Sequence, residues 1–278
     1  MTIGIMARTF IRPTLEATLD AVAAHGIRNV QFGLSCAGLP DLPDHLDPGL
    51  CDRIRQGMAT RGISIAALSG TFNMIDPDRH RREDGLRRLG ELAAACERLG
   101  TSVITLCTGT RDPENMWRRH PGNDAPEAWE DALASMRQAV EITEGTGVTL
   151  AFEPEVSNVV DSAQKARRLL DEIGSPRLKV VMDGANIFHT GELPRMPEIL
   201  DEAFALLGPD IALAHAKDLD RDGEAGHLAA GTGLLDYDRY LSLLRAAGFD
   251  GALILHSLAE SQVAGCLTFL RKKTGNRQ

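Results

Sequence analysis

The chain has 278 residues, and 43% of them are hydrophobic, so it can bury a large core. Its formal net charge of −9 argues against nucleic acid as a partner, because phosphate backbones are bound by clustered Lys and Arg. The sequence shows no signal-peptide pattern and no apolar run near the roughly 18 residues of a membrane span, so we expect no membrane partner. Five cysteines without C-x-x-C spacing indicate reduced thiols and a cytoplasmic protein.

Short apolar stretches alternate with amphipathic ones along the whole chain. Eight stretches rich in β-branched and aliphatic residues predict strands at 2–7, 29–34, 63–68, 102–107, 148–152, 178–183, 210–214 and 252–255. A helical pattern follows each strand, at 13–26, 48–60, 78–99, around 129–142, 163–173, 198–206, 236–247 and in a last helix ending near 271. Eight β-α repeats in this length predict an α/β fold, a single (β/α)8 TIM barrel that forms one domain over residues 1–278.

Four consecutive predicted strands, the fifth to the eighth, end on side chains that can bind a metal ion. These residues are Glu153, Asp183, His215 and His256. A single polar residue at a strand end is often only a cap, but four successive ones favour a shared site, because active sites of such barrels lie at the carboxyl ends of the strands. Carboxylate and imidazole ligands suit Mn²⁺, Co²⁺, Fe²⁺ or Zn²⁺ better than Mg²⁺ or Ca²⁺. We expect one divalent ion, with Mn²⁺ as the first choice and Mg²⁺ still an alternative.

Several motifs resemble those of the xylose-isomerase-like TIM-barrel family. They are EP at 153–154, DGAN at 183–186, HAKD at 215–218 and GTGLLDYDRYLSLLRAAGFDGALIL near the carboxyl end. The resemblance implies a sugar isomerase, ketose epimerase, hydroxypyruvate isomerase or inosose dehydratase, with endonuclease IV as a distant relative. In the family's ketose epimerases a Glu, an Asp, a His and a final Glu hold the metal. Glu153, Asp183 and His215 match the first three, whereas His256 stands where the second proton-shuttling Glu is usual.

Three residues are candidates for the chemical step. Glu153 is the best candidate for the base that removes a proton next to a carbonyl, through an enediolate stabilised by the bound metal. His256 has an intrinsic pKa close to neutral and could also transfer protons, provided it is not a tight metal ligand. Lys217 points to the same side of its strand as His215 and could polarise an oxygen or hold an acidic substrate group. A solvated Lys–Asp pair is the alternative for Lys217.

Five further residues are candidates for substrate binding. Arg8 could bind a carboxylate or phosphate in bidentate fashion. Asn186 stands where several relatives carry a substrate-binding His, and it could also cap a turn. Glu155 could be a second base or merely a loop charge, and a supporting role behind the site is favoured. The loop after the fourth strand adds Thr108 and Arg111.

These features predict a metal-dependent isomerase or epimerase of a sugar or sugar-derived keto compound. A lyase, such as a dehydratase or decarboxylase, uses the same intermediate and is the first alternative; a non-catalytic sugar-binding barrel is the second. A multi-metal DNA-repair nuclease is disfavoured, because the first three strands end near Arg8, Leu34 and Ser69 and supply no further ligands. The expected partner is a small sugar or keto acid, and a homo-oligomer is compatible with the sequence.

Overall fold

The computed structural model describes residues 1–275, in which eight parallel strands close into a barrel. The strands are β1 (Thr2–Met6), β2 (Asn29–Phe32), β3 (Ser64–Ser69), β4 (Val103–Cys107), β5 (Thr149–Glu153), β6 (Leu178–Asp183), β7 (Ile211–Asp218) and β9 (Ala252–Leu255), with a short β8 (Leu228–Ala229) antiparallel to β7. Pairing of β1 with β9, β9 with β7 and β7 with β6 completes the ring. The predicted (β/α)8 barrel is therefore confirmed.

Within residues 1–275, eight α-helices surround the strands. They are α1 (Leu15–Ala24), α2 (Pro48–Ala59), α3 (Arg79–Leu99), α4 (Pro126–Ile142), α5 (Ala163–Ile173), α6 (Met196–Leu207), α7 (Tyr237–Ala246) and α8 (Val263–Thr274). Local chemistry sets their ends: the Asp78 carboxylate accepts from the His80 N–H at the start of α3, and Gly100 ends the helix in the left-handed conformation at φ 81°. Among residues 1–275, no helix has the length and apolarity needed to cross a membrane.

Strand β7 is longer than the sequence pattern indicates. The predicted end was residue 214, whereas the strand continues to Asp218. Hydrogen-bonded neighbours explain the difference: His215 pairs with Asp183 of β6 and with Ile254 of β9, and Lys217 pairs with Ala229 of β8. Tertiary pairing thus overrides the weak strand propensity of the polar HAKD segment. As a result, His215 and Lys217 lie on one rigid strand rather than on a loop.

The hydrophobic core has two layers. Between the strands and the helices lies a large cluster of aliphatic and aromatic side chains. A second, smaller cluster joins alternate residues of six strands, including Met6, Ala151, Val181 and Leu213, and fills the barrel interior. Burial of each Leu, Ile or Val stabilises the fold by about 1.5–3 kcal/mol. The long loops after β4, β6 and β7 all leave the carboxyl face, so this packed interior supports the site from below.

Tyr240 of α7 ties together the two strands that carry Asp183 and His215. Its buried hydroxyl lies 2.9 Å from the carbonyl oxygens of Met182 and His215 and can donate to either. The neighbouring Tyr237 hydroxyl donates to the Lys217 carbonyl oxygen at 2.7 Å. Both tyrosines therefore fix the backbone directly beneath polar side chains of the cavity.

We expect Tyr240→Phe to lower the free energy of unfolding by about 1–3 kcal/mol, because it removes a buried donor from two buried carbonyl groups. Tyr237→Phe is the matched comparison. It removes the donor from only one carbonyl group, so we expect a smaller loss of unfolding free energy. Urea denaturation followed by circular dichroism measures both. A Tyr240→Phe variant as stable as the unmodified chain would contradict this role.

Candidate active site

A cavity of about 280 Å³ opens at the carboxyl ends of the strands. Polar side chains from seven barrel strands or the segments that follow them line it, together with Trp117 from the β4–α4 loop: Arg8, Gln31, Ser69, Thr71, Thr105, Glu153, Glu155, His215, Lys217, His256 and Ser257. Arg8, Glu153, Glu155, His215, Lys217 and His256 were all named from the sequence. Their convergence follows from the parallel barrel, which brings every strand's carboxyl end to one face.

The ends of β5, β6 and β7 form a buried cluster of charges. The Lys217 ammonium lies 3.2 Å from Asp183 Oδ2 and 3.7 Å from Glu153 Oε1. The His215 Nδ1 lies 3.3 Å from Glu153 Oε1 and 3.6 Å from Asp183 Oδ2. Each side chain is at most 15% exposed, so the charges must compensate one another. Lys217 is thus part of the buried cluster and does not form a solvated surface pair.

The cluster determines the charge state of its members. Burial alone would raise the pKa of Asp183, but Lys217 and His215 hold it below its ordinary value. Burial would lower the pKa of Lys217, yet the neighbouring carboxylates raise it, so the amine is a cation at neutral pH. His215 behaves in the same way: burial disfavours its cationic form, but the carboxylates of Glu153 and Asp183 favour it and raise the pKa to about 9. Lys217 is therefore a hydrogen-bond donor here, and not a free base.

Gln31 orients the His215 ring and was not recognised in the sequence. Its Oε1 lies 2.8 Å from His215 Nε2, while its Nε2 donates to the Thr105 hydroxyl at 3.0 Å. With Nε2 donating to Gln31, Nδ1 of the cationic ring donates toward Glu153 and Asp183, and it would have to lose this proton to bind a metal ion. The available signal was an amide side chain between the apolar residues Val30 and Phe32 of β2.

Asn186 holds Glu153 and does not reach the cavity. It is fully buried, its amide donates to Glu153 Oε1 at 2.6 Å, and its oxygen accepts from the Gly226 N–H at 2.9 Å. The expected contact with a substrate hydroxyl is therefore corrected to a positioning contact behind the carboxylate. A residue with both a donor and an acceptor can bridge the β6 and β7 loops in this way.

Thr108 and Arg111 also point away from the cavity, contrary to the expectation that they bind substrate. The Thr108 hydroxyl accepts from the Val160 N–H at 3.2 Å, and Arg111 pairs with Asp131 at 2.7 Å. Both residues anchor the β4–α4 loop, which carries Trp117. That side chain is 48% exposed at the cavity mouth. The loop thus presents an aromatic surface while its flanking polar residues are bound to the protein.

His256 follows β9 and has two different ring nitrogens. Its Nε2 lies 3.3 Å from Arg8 Nη2, whereas its Nδ1 is buried without a hydrogen-bond partner in the part of the chain that the structure describes. Burial, together with the cations Lys217 and His215, lowers the pKa of His256 well below its ordinary value. The ring is accordingly neutral and can act as a ligand or as a proton acceptor.

Asp183, His215 and His256 fit a divalent metal ion. One possible ligand atom of each lies within 4.8 Å of the others. Asp183 Oδ2 and His256 Nδ1 are buried atoms without a hydrogen bond, as expected of atoms that bind an ion, although the Lys217 ammonium lies near Asp183 Oδ2. One carboxylate and two imidazoles suit a transition metal. Glu153 lies outside this group of three but next to His215.

Glu155 gives the metal-free protein a pH-dependent stability. Burial raises its pKa to about 7 from an ordinary value of 4.5, although Lys217 opposes the shift. The folded state therefore holds a proton that the unfolded state loses, and stability falls as the pH rises from about 4.5 to 7. We expect Glu155→Gln to match the unmodified chain near pH 4 and, in chelator, to be more stable above pH 7, on the order of 2 kcal/mol.

Urea denaturation across this pH range measures the difference. Glu130→Gln, at an exposed position of α4, is the control and should show no such divergence. Parallel stability curves for Glu155→Gln and the unmodified chain would contradict the prediction.

Comparison with known proteins assigns the family. Residues 19–273 match the family described as xylose isomerase-like TIM barrel. The chain is 27% identical over 183 residues to 2-epi-5-epi-valiolone 7-phosphate 2-epimerase of Actinoplanes sp.. The aligned part covers 65% of this chain and 61% of that relative, so the chain spans less than two thirds of the relative's length. Among solved structures, a xylose isomerase domain protein from Planctomyces limnophilus has a TM-score of 0.75 at 16% identity, with coverage of 99% and 98%. The IOLI protein with a zinc atom has a TM-score of 0.74 at 18% identity, with coverage of 99% and 96%. These two likenesses reflect a shared fold, and the family match shows that the chain belongs to the xylose isomerase-like TIM barrel family.

Proposed function

We propose that the protein is a divalent-metal-dependent isomerase or epimerase of a sugar or sugar-derived keto compound. The observation that carries the proposal is that Glu153, His215 and His256 line one cavity, and that the two histidines form a possible ligand group with the buried Asp183 directly behind it. Family membership and the epimerase name of the Actinoplanes relative support it. Mn²⁺ is the first choice of ion, and the zinc in the IOLI structure keeps Zn²⁺ as an alternative.

The ion would be held by Asp183, His215 and His256, with Glu153 as the fourth ligand that the family pattern implies. Once bound, a divalent ion supplies Lewis acidity, which lowers the cost of negative charge on substrate oxygens. The chain's own residues then determine where the substrate lies. Hydroxyls of Ser69, Thr71 and Thr105 line the cavity and can bond to sugar hydroxyls, and the exposed Trp117 ring can cover an apolar sugar face.

Glu153 is the proposed base for the proton next to the carbonyl group. Asn186 fixes one of its oxygens at 2.6 Å, which limits the rotation of the carboxylate and favours one direction of proton removal. Lys217, a cation 3.7 Å from Glu153, can donate to a substrate oxygen as negative charge develops. His256 is a neutral imidazole on a different strand and can return a proton from another side if it is not held as a ligand.

Metal content is the first test. We expect about one transition-metal ion per chain by inductively coupled plasma mass spectrometry, and its loss in Asp183→Ala, which removes a buried ligand. His189→Ala is the control, because His189 lies outside the group of three ligands. Loss of the ion in His256→Ala identifies His256 as a ligand, whereas retention leaves it free for proton transfer. An unmodified chain that neither holds nor takes up a divalent ion contradicts the metal-dependent function.

Proton exchange tests the reaction itself. With the metal-loaded protein in D₂O, we expect deuterium to enter keto sugars at the carbon next to the carbonyl group, and Glu153→Gln to slow this about 10²–10⁴-fold, the usual contribution of a general base. Glu130→Gln is the control, and proton NMR with mass spectrometry measures exchange and products. Unchanged exchange in Glu153→Gln would contradict the role of this base.

The same experiment separates the alternatives. Exchange or rearrangement without a change in substrate mass supports an isomerase or epimerase, and loss of water or carbon dioxide identifies a lyase. Binding of a keto sugar to the metal-loaded protein without exchange identifies a sugar-binding barrel.

A further inference from the structure

Arg8 brings an uncompensated positive charge to the cavity. It lies directly after β1, lines the cavity, and its guanidinium contacts the His256 ring at 3.3 Å. Within residues 1–275 it forms no ion pair with a carboxylate. By contrast, Arg12, only four residues further along, is paired with Glu260 through both terminal nitrogens, at 2.6 and 2.9 Å.

The other charged groups of the cavity do not neutralise Arg8. The Lys217 ammonium is compensated by Asp183 and Glu153 on the β5–β7 side. The His256 ring, which contacts Arg8 at 3.3 Å, offers no negative charge. A guanidinium that faces a partly enclosed cavity without a counter-charge attracts an anion, and its planar fork matches the oxygens of a carboxylate or a phosphate.

Ser257 adds a hydroxyl donor to the same side of the cavity. It immediately follows His256, lines the cavity, and has a φ of 53°. Among residues 1–275 it is the one non-glycine residue in the left-handed region, a conformation that costs free energy for a residue with a Cβ atom. The backbone at this point therefore holds an unfavourable conformation next to Arg8 and His256, as is common where a side chain is aimed at a ligand.

We propose that the substrate carries an anionic group, a carboxylate or a phosphate, that binds between Arg8 and Ser257 on the β1–β9 side of the cavity. The reacting carbon atoms then lie toward Glu153 and Lys217 on the β5–β7 side. This inference rests on the proposed function and specifies its substrate class. It makes Arg8 the residue that distinguishes acidic from neutral keto sugars.

Three small keto compounds that share a three-carbon skeleton test the inference. Dihydroxyacetone is neutral, dihydroxyacetone phosphate carries a phosphate, and hydroxypyruvate carries a carboxylate. We expect the metal-loaded protein to bind at least one of the two anions about 10–100-fold more tightly than dihydroxyacetone in calorimetric titrations, the range for hydrogen bonds to charged groups. A preference for dihydroxyacetone phosphate, together with binding of inorganic phosphate, identifies a phosphate site, and a preference for hydroxypyruvate identifies a carboxylate site.

Variants assign the preference to residues. Arg8→Gln should abolish this preference, so that the anions bind no more tightly than dihydroxyacetone does in the same variant, and Ser257→Ala should weaken binding of the preferred anion by a smaller factor. Arg12→Gln is the matched control and should keep the preference, because its charge is already paired with Glu260. Melting temperatures show whether each variant remains folded.

Two results would overturn the inference: equal affinity of the unmodified protein for all three compounds, or a preference that survives in Arg8→Gln. Binding is measured independently of turnover, so the two proposals fail separately. Anion preference without proton exchange would contradict only the isomerase or epimerase function. Exchange without anion preference would contradict only the role of Arg8.

Discussion

The buried ammonium of Lys217 is the interaction on which the site depends. It lies between Asp183 of β6 and Glu153 of β5, so three adjacent strands each contribute one charge to the same small volume. Transfer of these charges from water is costly, and their mutual attraction offsets the cost only while each partner is present. The cluster therefore requires β7 to extend as a regular strand to Lys217, and the pairing of Lys217 with Ala229 of β8 supplies that extension.

A second constraint is the orientation of the groups around this cluster. Gln31 bonds to His215 from β2, Asn186 bonds to Glu153 from the β6 loop, and Tyr240 bonds to the backbone below His215. Each contact removes one rotational freedom from a group that faces the cavity, which is how a site is preorganised before a ligand arrives. Asp183 Oδ2 and His256 Nδ1 differ from these groups, because neither atom forms a hydrogen bond within the described chain. The groups that position the site are thus hydrogen-bonded, whereas two potential ligand atoms are not, although the Lys217 ammonium lies 3.2 Å from Asp183 Oδ2.

The sequence predicted the barrel and the strand-end residues because both depend on local periodicity. Apolar stretches that end on Glu153, Asp183, His215 and His256 can be recognised without any tertiary information. Closure of the parallel strands into a barrel then brings these strand ends to one face. The contacts of the Thr108, Arg111 and Asn186 side chains could not be predicted from local periodicity, because each side chain bonds to a partner that is distant in the chain. Arg111 meets Asp131, and Thr108 meets Val160. The end of β7 was missed for the same reason, since its pairing with β8 is a long-range contact.

The cavity is electrostatically asymmetric. On the β5–β7 side the cations and carboxylates are close together and nearly balanced, so this side can stabilise charge that shifts during a reaction but has no excess positive charge for an anionic substrate group. On the β1–β9 side a neutral imidazole and an unpaired guanidinium give a net positive potential. A symmetrical polyol could enter such a cavity in either direction. A substrate with an acidic group at one end could bind productively in only one orientation. The arrangement of the charges would then also determine which carbon atom faces Glu153.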